Sequence, residues 1–241
     1  MTSQETNQNQ EMLNAIEVEP VVCSDIPMAP SNLVSLIQPS VLADGRKQAW
    51  QQLELLRQKG ILKPDGTIFD LGCGYGRMAY PLRSYLNNKG RYIGYDVFGP
   101  FIDFLSSAFA VDKRFSFFHI NINNEQYNQG GQATFCGWPI ADRSVDTTVA
   151  VSLFTHIDTV ITAAYFNELK RIMKPDGMLF MQMYRTNNPE LVTETAFRTV
   201  RLEQFWLNLF DQFGCEIVDQ WSGDMALNMF HDAWNVILKM G

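Results

Sequence analysis

Thr67-Ile-Phe-Asp-Leu-Gly-Cys-Gly-Tyr-Gly-Arg77 decides the fold: an apolar run closes on the acid Asp70 and is followed by Gly72, Gly74 and Gly76. A β-strand, a tight backbone turn and a helix start succeed one another there. The glycines leave bare backbone at the turn, where a ligand can come close. Their spacing is G-x-G-x-G, whereas the dinucleotide fingerprint is G-x-G-x-x-G, with its last glycine against the pyrophosphate helix. Here that later position is Arg77. A diphosphate suits a helix N-terminus, so the offset points away from a dinucleotide, although the turn alone is compatible with any Rossmann-like nucleotide site.

The segments that follow narrow the choice. Gly90-Arg-Tyr-Ile-Gly-Tyr-Asp-Val97 is a short apolar run that closes on a second acid, Asp96, twenty residues past Gly76. An acid there accepts ribose hydroxyl hydrogens, or else it caps the helix predicted over Phe101 to Phe109. Ser116-Phe-Phe-His-Ile-Asn121 reads as a third strand. The turn-rich Trp138-Pro-Ile-Ala-Asp-Arg-Ser144 introduces a fourth, Val145 to Phe154, which leads into Thr155-His-Ile-Asp158. A helix, the turn Lys174-Pro-Asp-Gly177 and a fifth strand then run to Met181.

As a set, residues 60 to 185 resemble the class I S-adenosylmethionine-dependent methyltransferase family, whose first motif reads acid, x, Gly, x, Gly, x, Gly. The insert Tyr127-Asn-Gln-Gly-Gly131 is similar to one found in a branch of bacterial small-molecule methyltransferases. The resemblance implies S-adenosylmethionine as methyl donor and S-adenosylhomocysteine as product. It assigns Asp70 to the donor's ammonium end, Gly72, Cys73, Gly74, Tyr75, Gly76 and Arg77 to its cradle, Asp96 to the ribose, and Val97 and Phe98 to one adenine face. Asn121 stands where relatives commonly carry an Asp for the adenine amino group. An Asn amide can accept from that group and donate to a ring nitrogen. Ile122 and Ser152 complete the expected cofactor set.

A chain of 241 residues with 46% hydrophobic content can bury one substantial core. Strands alternating with helices predict an α/β fold: a Rossmann-like, seven-stranded, mostly parallel sheet with helices on both faces. Near the end, Leu202 to Phe213 has helical periodicity, while Glu216 to Trp221 and Ala233 to Met240 read as strands. Joined without a helix, those two strands must pair antiparallel, which makes the last strand the reversed one. The expected organisation is a loose, Gln- and Asn-rich tail over residues 1–25 and a single domain over 26–241. Within it, 26–59 form a helical lid, with helices at Asn32 to Ile37 and Lys47 to Gln58. Residues 60–185 are the cofactor core, and 186–241 carry an acceptor lid and the last strands.

The formal net charge of −7 argues against a nucleic-acid partner, whose phosphates require clustered Lys and Arg. Cys23, Cys73, Cys136 and Cys215 have no metal-binding spacing and read as free thiols. No signal peptide and no membrane span is legible. A cytoplasmic protein without a membrane partner is expected, and a homodimer is left open.

The donor's sulfonium is a good leaving group, so the protein mainly aligns an acceptor in line with the methyl group and excludes water. An oxygen acceptor also calls for a base. His156, directly after the fourth strand, is the catalytic candidate, although it can equally cap or pack the helix starting near Asp158. His119, within a strand, reads as structural. His231, beside Asp232, is a candidate second base or acceptor contact, and Tyr127, Tyr184 and Met225 are the other acceptor candidates. No acid cluster suggests a metal, so metal independence is expected. The function implied is O-methylation of a secondary metabolite or sugar-like hydroxyl by in-line displacement. The alternatives are a small-molecule N-methyltransferase and a non-catalytic cofactor-binding partner protein.

Overall fold

The computed structural model describes residues 26–35, 45–132, 134–195, 197–223 and 233–241. These fall into two compact units, one up to Ile120 and one from Asn121 on.

The first unit contains three parallel strands, β1 (Thr67–Leu71), β2 (Arg91–Asp96) and β3 (Phe115–His119), with β2 in the middle. After its first residue β1 is buried throughout, as a strand covered on both faces requires. Among the described residues four helices accompany them: α1 (Ser31–Val34), α2 (Gly45–Gln58), α3 (Ala79–Tyr85) and α4 (Gly99–Ala108). α4 begins with a Pro in its first turn, where the missing N–H costs nothing, and buries Phe101, Ile102 and Leu105 on one face. Beneath it the rings of Tyr92, Phe109, Phe115 and Phe117 interlock at centroid distances of 5.0 to 5.5 Å. α2 packs on α3. The chain ahead of β1 is tied to α3 by two phenols, Tyr80 donating to Pro27 O at 2.7 Å and Tyr85 to Leu62 O at 2.8 Å.

In the second unit β4 (Val145–Ala150) runs parallel to β5 (Met173–Thr186), and Lys174 to Gly177 loop out where the register shifts. Along its other edge β5 pairs antiparallel with β9 (Ala233–Lys239), which in turn pairs antiparallel with β8 (Glu216–Ser222). The expected reversal of the last strand is observed. Beyond Met181, where its pairing with β4 ends, the final residues of β5 from Tyr184 on pair in parallel with β7 (Thr199–Leu202). The short β6 (Thr193–Glu194) closes antiparallel on β7. Part of the stretch over 186–241 that the sequence assigns to an acceptor lid and the last strands thus forms β6 and β7 and extends the sheet. Backbone ladder bonds hold it, and these carry no periodic sequence signal in pieces this short. α5 (Thr159–Ile172) is capped by Asp158, whose carboxylate accepts from Ile161 N at 2.7 Å. α6 (Glu203–Phe213) ends at Gly214 with φ +69°, the left-handed stop a glycine allows.

No described helix is long and apolar enough to cross a membrane. The tail over residues 1–25, the end of the predicted helix Asn32 to Ile37, and the candidates Met225, His231 and Asp232 lie outside the described residues.

Candidate active site

The turn after β1 folds back on the end of β2. Gly72 N and Cys73 N both donate to Tyr95 O, at 2.8 and 3.0 Å. Gly74 N donates to Asp96 Oδ2 at 2.8 Å, and Phe98 N donates to Asp96 Oδ1 at the same distance. Gly72, Gly74 and Gly76 all have positive φ, of +81°, +53° and +86°. Two of them serve different ends. A Cβ on Gly76 would stand 2.5 Å from Leu105 Cδ2, so this glycine lets α4 pack against the turn. A Cβ on Gly74 would meet nothing within 4 Å, so its outer face is open. That open backbone face, at the carboxyl end of parallel strands, is where open α/β sheets receive ligands.

Asp96 ties two backbone segments together. Its carboxylate bonds the glycine turn to the backbone entering α4, and each oxygen keeps a lone pair for a hydroxyl. Burial raises its pKa, and the N–H groups of Phe98, Gly74 and Val97 oppose the rise. Asp70 is only 4% exposed and accepts from Tyr92 Oη at 2.5 Å. Burial pushes its pKa up to about 7, against the Tyr92 hydrogen bond and the Arg77 charge, with the Asp96 charge adding to the rise. Tyr92 was not singled out from the sequence; the signal was a phenol on the strand beside that of Asp70. Cys73 is buried, and burial holds its thiol well above its ordinary pKa, which makes it a packing group and not a nucleophile. Tyr75 and Phe98 flank the edge of Phe101 at ring distances of 6.0 and 4.8 Å, with Val97 half-buried beside them. His119 Nε2 bonds Val97 O at 2.9 Å, a structural contact as expected.

Residues 69–179 match the family model described as a methyltransferase domain. Over that stretch, just under half of the chain, it is similar to a class I S-adenosylmethionine-dependent methyltransferase domain. Among solved structures this chain is similar to a SAM-dependent methyltransferase from Aquifex aeolicus, at 15% identity over 89% of this chain and 100% of that one, with a TM-score of 0.59. It is similar to the [4+2]-cyclase SpnF at 16% identity over 89% and 98%, with a TM-score of 0.62. A SAM-dependent methyltransferase from Leishmania major gives 12% identity over 97% and 82%, with a TM-score of 0.59. At such identities the likeness is one of fold, and it is the Rossmann-like α/β fold expected from the sequence. The donor of a methyltransferase domain of this class is S-adenosylmethionine, and the open face of Gly74 is the feature here that fits one. Among the described residues, no group of three or more His, Cys, Asp or Glu side chains is placed to hold a metal ion.

In the second unit the methyltransferase domain brings His156 and Tyr127 together, their rings edge to face with centroids 6.0 Å apart. Tyr127 belongs to a self-closed loop. Asn124 Oδ1 accepts from Gln126 N and Tyr127 N, Asn128 Nδ2 donates to Ile122 O and Asn121 Oδ1, and Gln132 N donates to Asn121 O. Asn121 is exposed and Ile122 is buried. β4 stops at Ala150, short of the predicted Phe154, because Ser152 adopts φ +58° and turns the chain. A non-glycine residue in that conformation is uncommon, and such residues cluster at functional sites. Asp158, and not His156, caps α5, which removes capping from the roles open to His156.

A buried polar chain supports the Ser152 turn. Ser152 Oγ donates to Gln182 Oε1 at 3.1 Å, Gln182 Nε2 to Asn235 Oδ1 at 3.1 Å, and Asn235 Nδ2 to Gly223 O at 2.6 Å. Sequence reasoning passed over Gln182 and Asn235. Each is a lone amide in an otherwise apolar strand, which was the available signal. Tyr184, an acceptor candidate, packs instead in the core with Val200 and Ala233, its ring beneath the Arg198 guanidinium at 5.2 Å and its carbonyl accepting from Trp206 Nε1.

Proposed function

We propose that the methyltransferase domain methylates a hydroxyl of a small-molecule acceptor, with His156 as general base. The observation that supports this most is the pairing of half-buried His156 with the Tyr127 ring in the turn that follows β4. An imidazole there suits proton removal from a hydroxyl near neutral pH, and an aromatic neighbour suits an organic acceptor. For the donor we assign the backbone at Gly72, Gly74 and Gly76 to the amino-acid end, with the charge of Asp70 behind it. Asp96 takes the ribose hydroxyls, and Val97 and Phe98 cover the adenine. The chemistry supplied by bound S-adenosylmethionine is a methyl group on a positively charged sulfur. The chain's own task is then to hold an acceptor oxygen in line and take its proton.

A labelled-methyl screen of metabolite pools identifies the acceptor, and His156→Gln tests the base. The expected result is a loss of kcat of about 100-fold or more, unchanged donor affinity by calorimetry, and loss of the acid limb of the pH profile of kcat/KM. An unchanged rate would refute the base and favour the N-methyltransferase reading, while donor binding without transfer to any acceptor would favour the non-catalytic one.

A further inference from the structure

We propose that Arg201, on β7, is a positioning residue that holds the turn carrying His156. The inference rests on the reading of His156 as base only for its consequence in catalysis, because the geometry stands by itself. β7 grips the turn on both sides of His156. Thr199 N donates to Thr155 O at 2.7 Å, Arg201 Nη2 donates to Ile157 O at 2.8 Å, and Thr199 Oγ1 lies 3.3 Å from the same carbonyl. Two residues further, Arg201 Nε donates to Thr159 Oγ1 at 3.2 Å. His156 N itself donates to Leu153 O at 2.9 Å, so the peptide plane entering His156 is bonded at both its C=O and its N–H.

The guanidinium that does this is 5% exposed. Glu194 Oε1 pairs with its Nη2 at 2.7 Å and also accepts from Thr159 Oγ1 at 2.9 Å, so the carboxylate of β6 closes a ring of bonds around the end of the turn. The faces of Phe205 and Trp206 cover the cation at 5.1 and 5.2 Å. Burying a cation costs free energy that only good partners offset. Here Ile157 O and Thr159 Oγ1 of the loop are partners beside Glu194, so the burial of the charge and the placement of the loop are coupled. An Arg fork reaches Ile157 O and Thr159 Oγ1 at once with fixed geometry, which the single ammonium of a Lys does not. Strands β6 and β7 therefore anchor the turn from which His156 projects.

The test is Arg201→Lys in the full chain, grown with ring-labelled histidine. The protein has three histidines, and His156→Gln and His119→Gln assign their signals. The expected result is a shifted or broadened His156 ring signal with the His119 signal and the donor affinity unchanged, a pattern that general destabilisation does not produce. A folded Arg201→Lys protein with an unmoved His156 signal overturns the proposal. Should Arg201→Lys not fold, Thr199→Val removes the hydroxyl beside Ile157 O, and an unmoved His156 signal there overturns it equally. The rate of His156→Gln is a separate measurement: an unchanged rate with a shifted signal in Arg201→Lys refutes the base and leaves the positioning intact.

Discussion

Asp70→Asn is expected to make the protein more stable and less able to bind its donor, and the size of the effect follows from the surroundings of the carboxylate. The ordinary pKa of an Asp is 3.8, and burial pushes that of Asp70 up to about 7. Between those two values the folded protein keeps a proton that the unfolded chain has released, so stability falls as pH rises through this window and is level above it. About three pH units at about 1.4 kcal/mol each amount to about 4 kcal/mol lost by pH 8. An Asn carries no charge at any pH and still accepts from Tyr92 Oη, so the variant escapes the loss. Urea unfolding of both proteins at pH 5 and pH 8 measures it: the stability advantage of the variant should widen by about 3 kcal/mol between the two. At pH 8 the midpoint of thermal unfolding should rise by about 8 °C or more. The same variant should bind S-adenosylmethionine at least about tenfold more weakly by calorimetry, as expected when stability is given up for function. An advantage equal at both pH values to within about 0.5 kcal/mol would refute the account of Asp70 as a buried, titrating carboxylate.

The glycine turn predicts a contrast. Gly76→Ala forces a left-handed side chain against Leu105 and should destabilise by about 2 kcal/mol or more, whereas Gly74→Ala has room for its methyl and should cost about 1 kcal/mol, read by urea unfolding. Both should weaken donor binding, and a Gly74→Ala protein of full affinity would count against ligand approach at that face. Asn235→Leu strands the Gln182 amide and Gly223 O and should cost about 3 kcal/mol. The pair Gln182→Met with Asn235→Leu should recover much of that loss, and strictly additive losses would show that the two amides do not act together.

Much of the fold was legible because glycine spacing, apolar runs and strand-end acids are local signals. Asp70 and Asp96 mark the ends of β1 and β2, and α2, α4, α5 and α6 begin and end within a few residues of the places their patterns suggested. Less legible were segments whose structure depends on distant partners. Thr193–Glu194 and Thr199–Leu202 are strands because β5 runs on past Met181, its last residue paired with β4, and offers its end to β7. Tyr184 looked like a pocket residue because a Tyr after a strand at the ligand edge often is one, yet Val200 and Arg198, sixteen and fourteen residues on, enclose it.

What the sequence by itself determined is the backbone of the donor turn. Only glycine adopts positive φ at three alternate positions without strain, and a short apolar run that ends directly at such a turn reads as a buried strand. What the tertiary structure alone decided is the chemical state and orientation of the groups around that turn. The raised pKa of Asp70 comes from burial, which outweighs the Tyr92 hydrogen bond, and the placement of the His156 turn comes from Thr199 and Arg201 more than forty residues away. Desolvation and hydrogen-bond geometry belong to a residue's neighbours in space, and these are set when the strands pair.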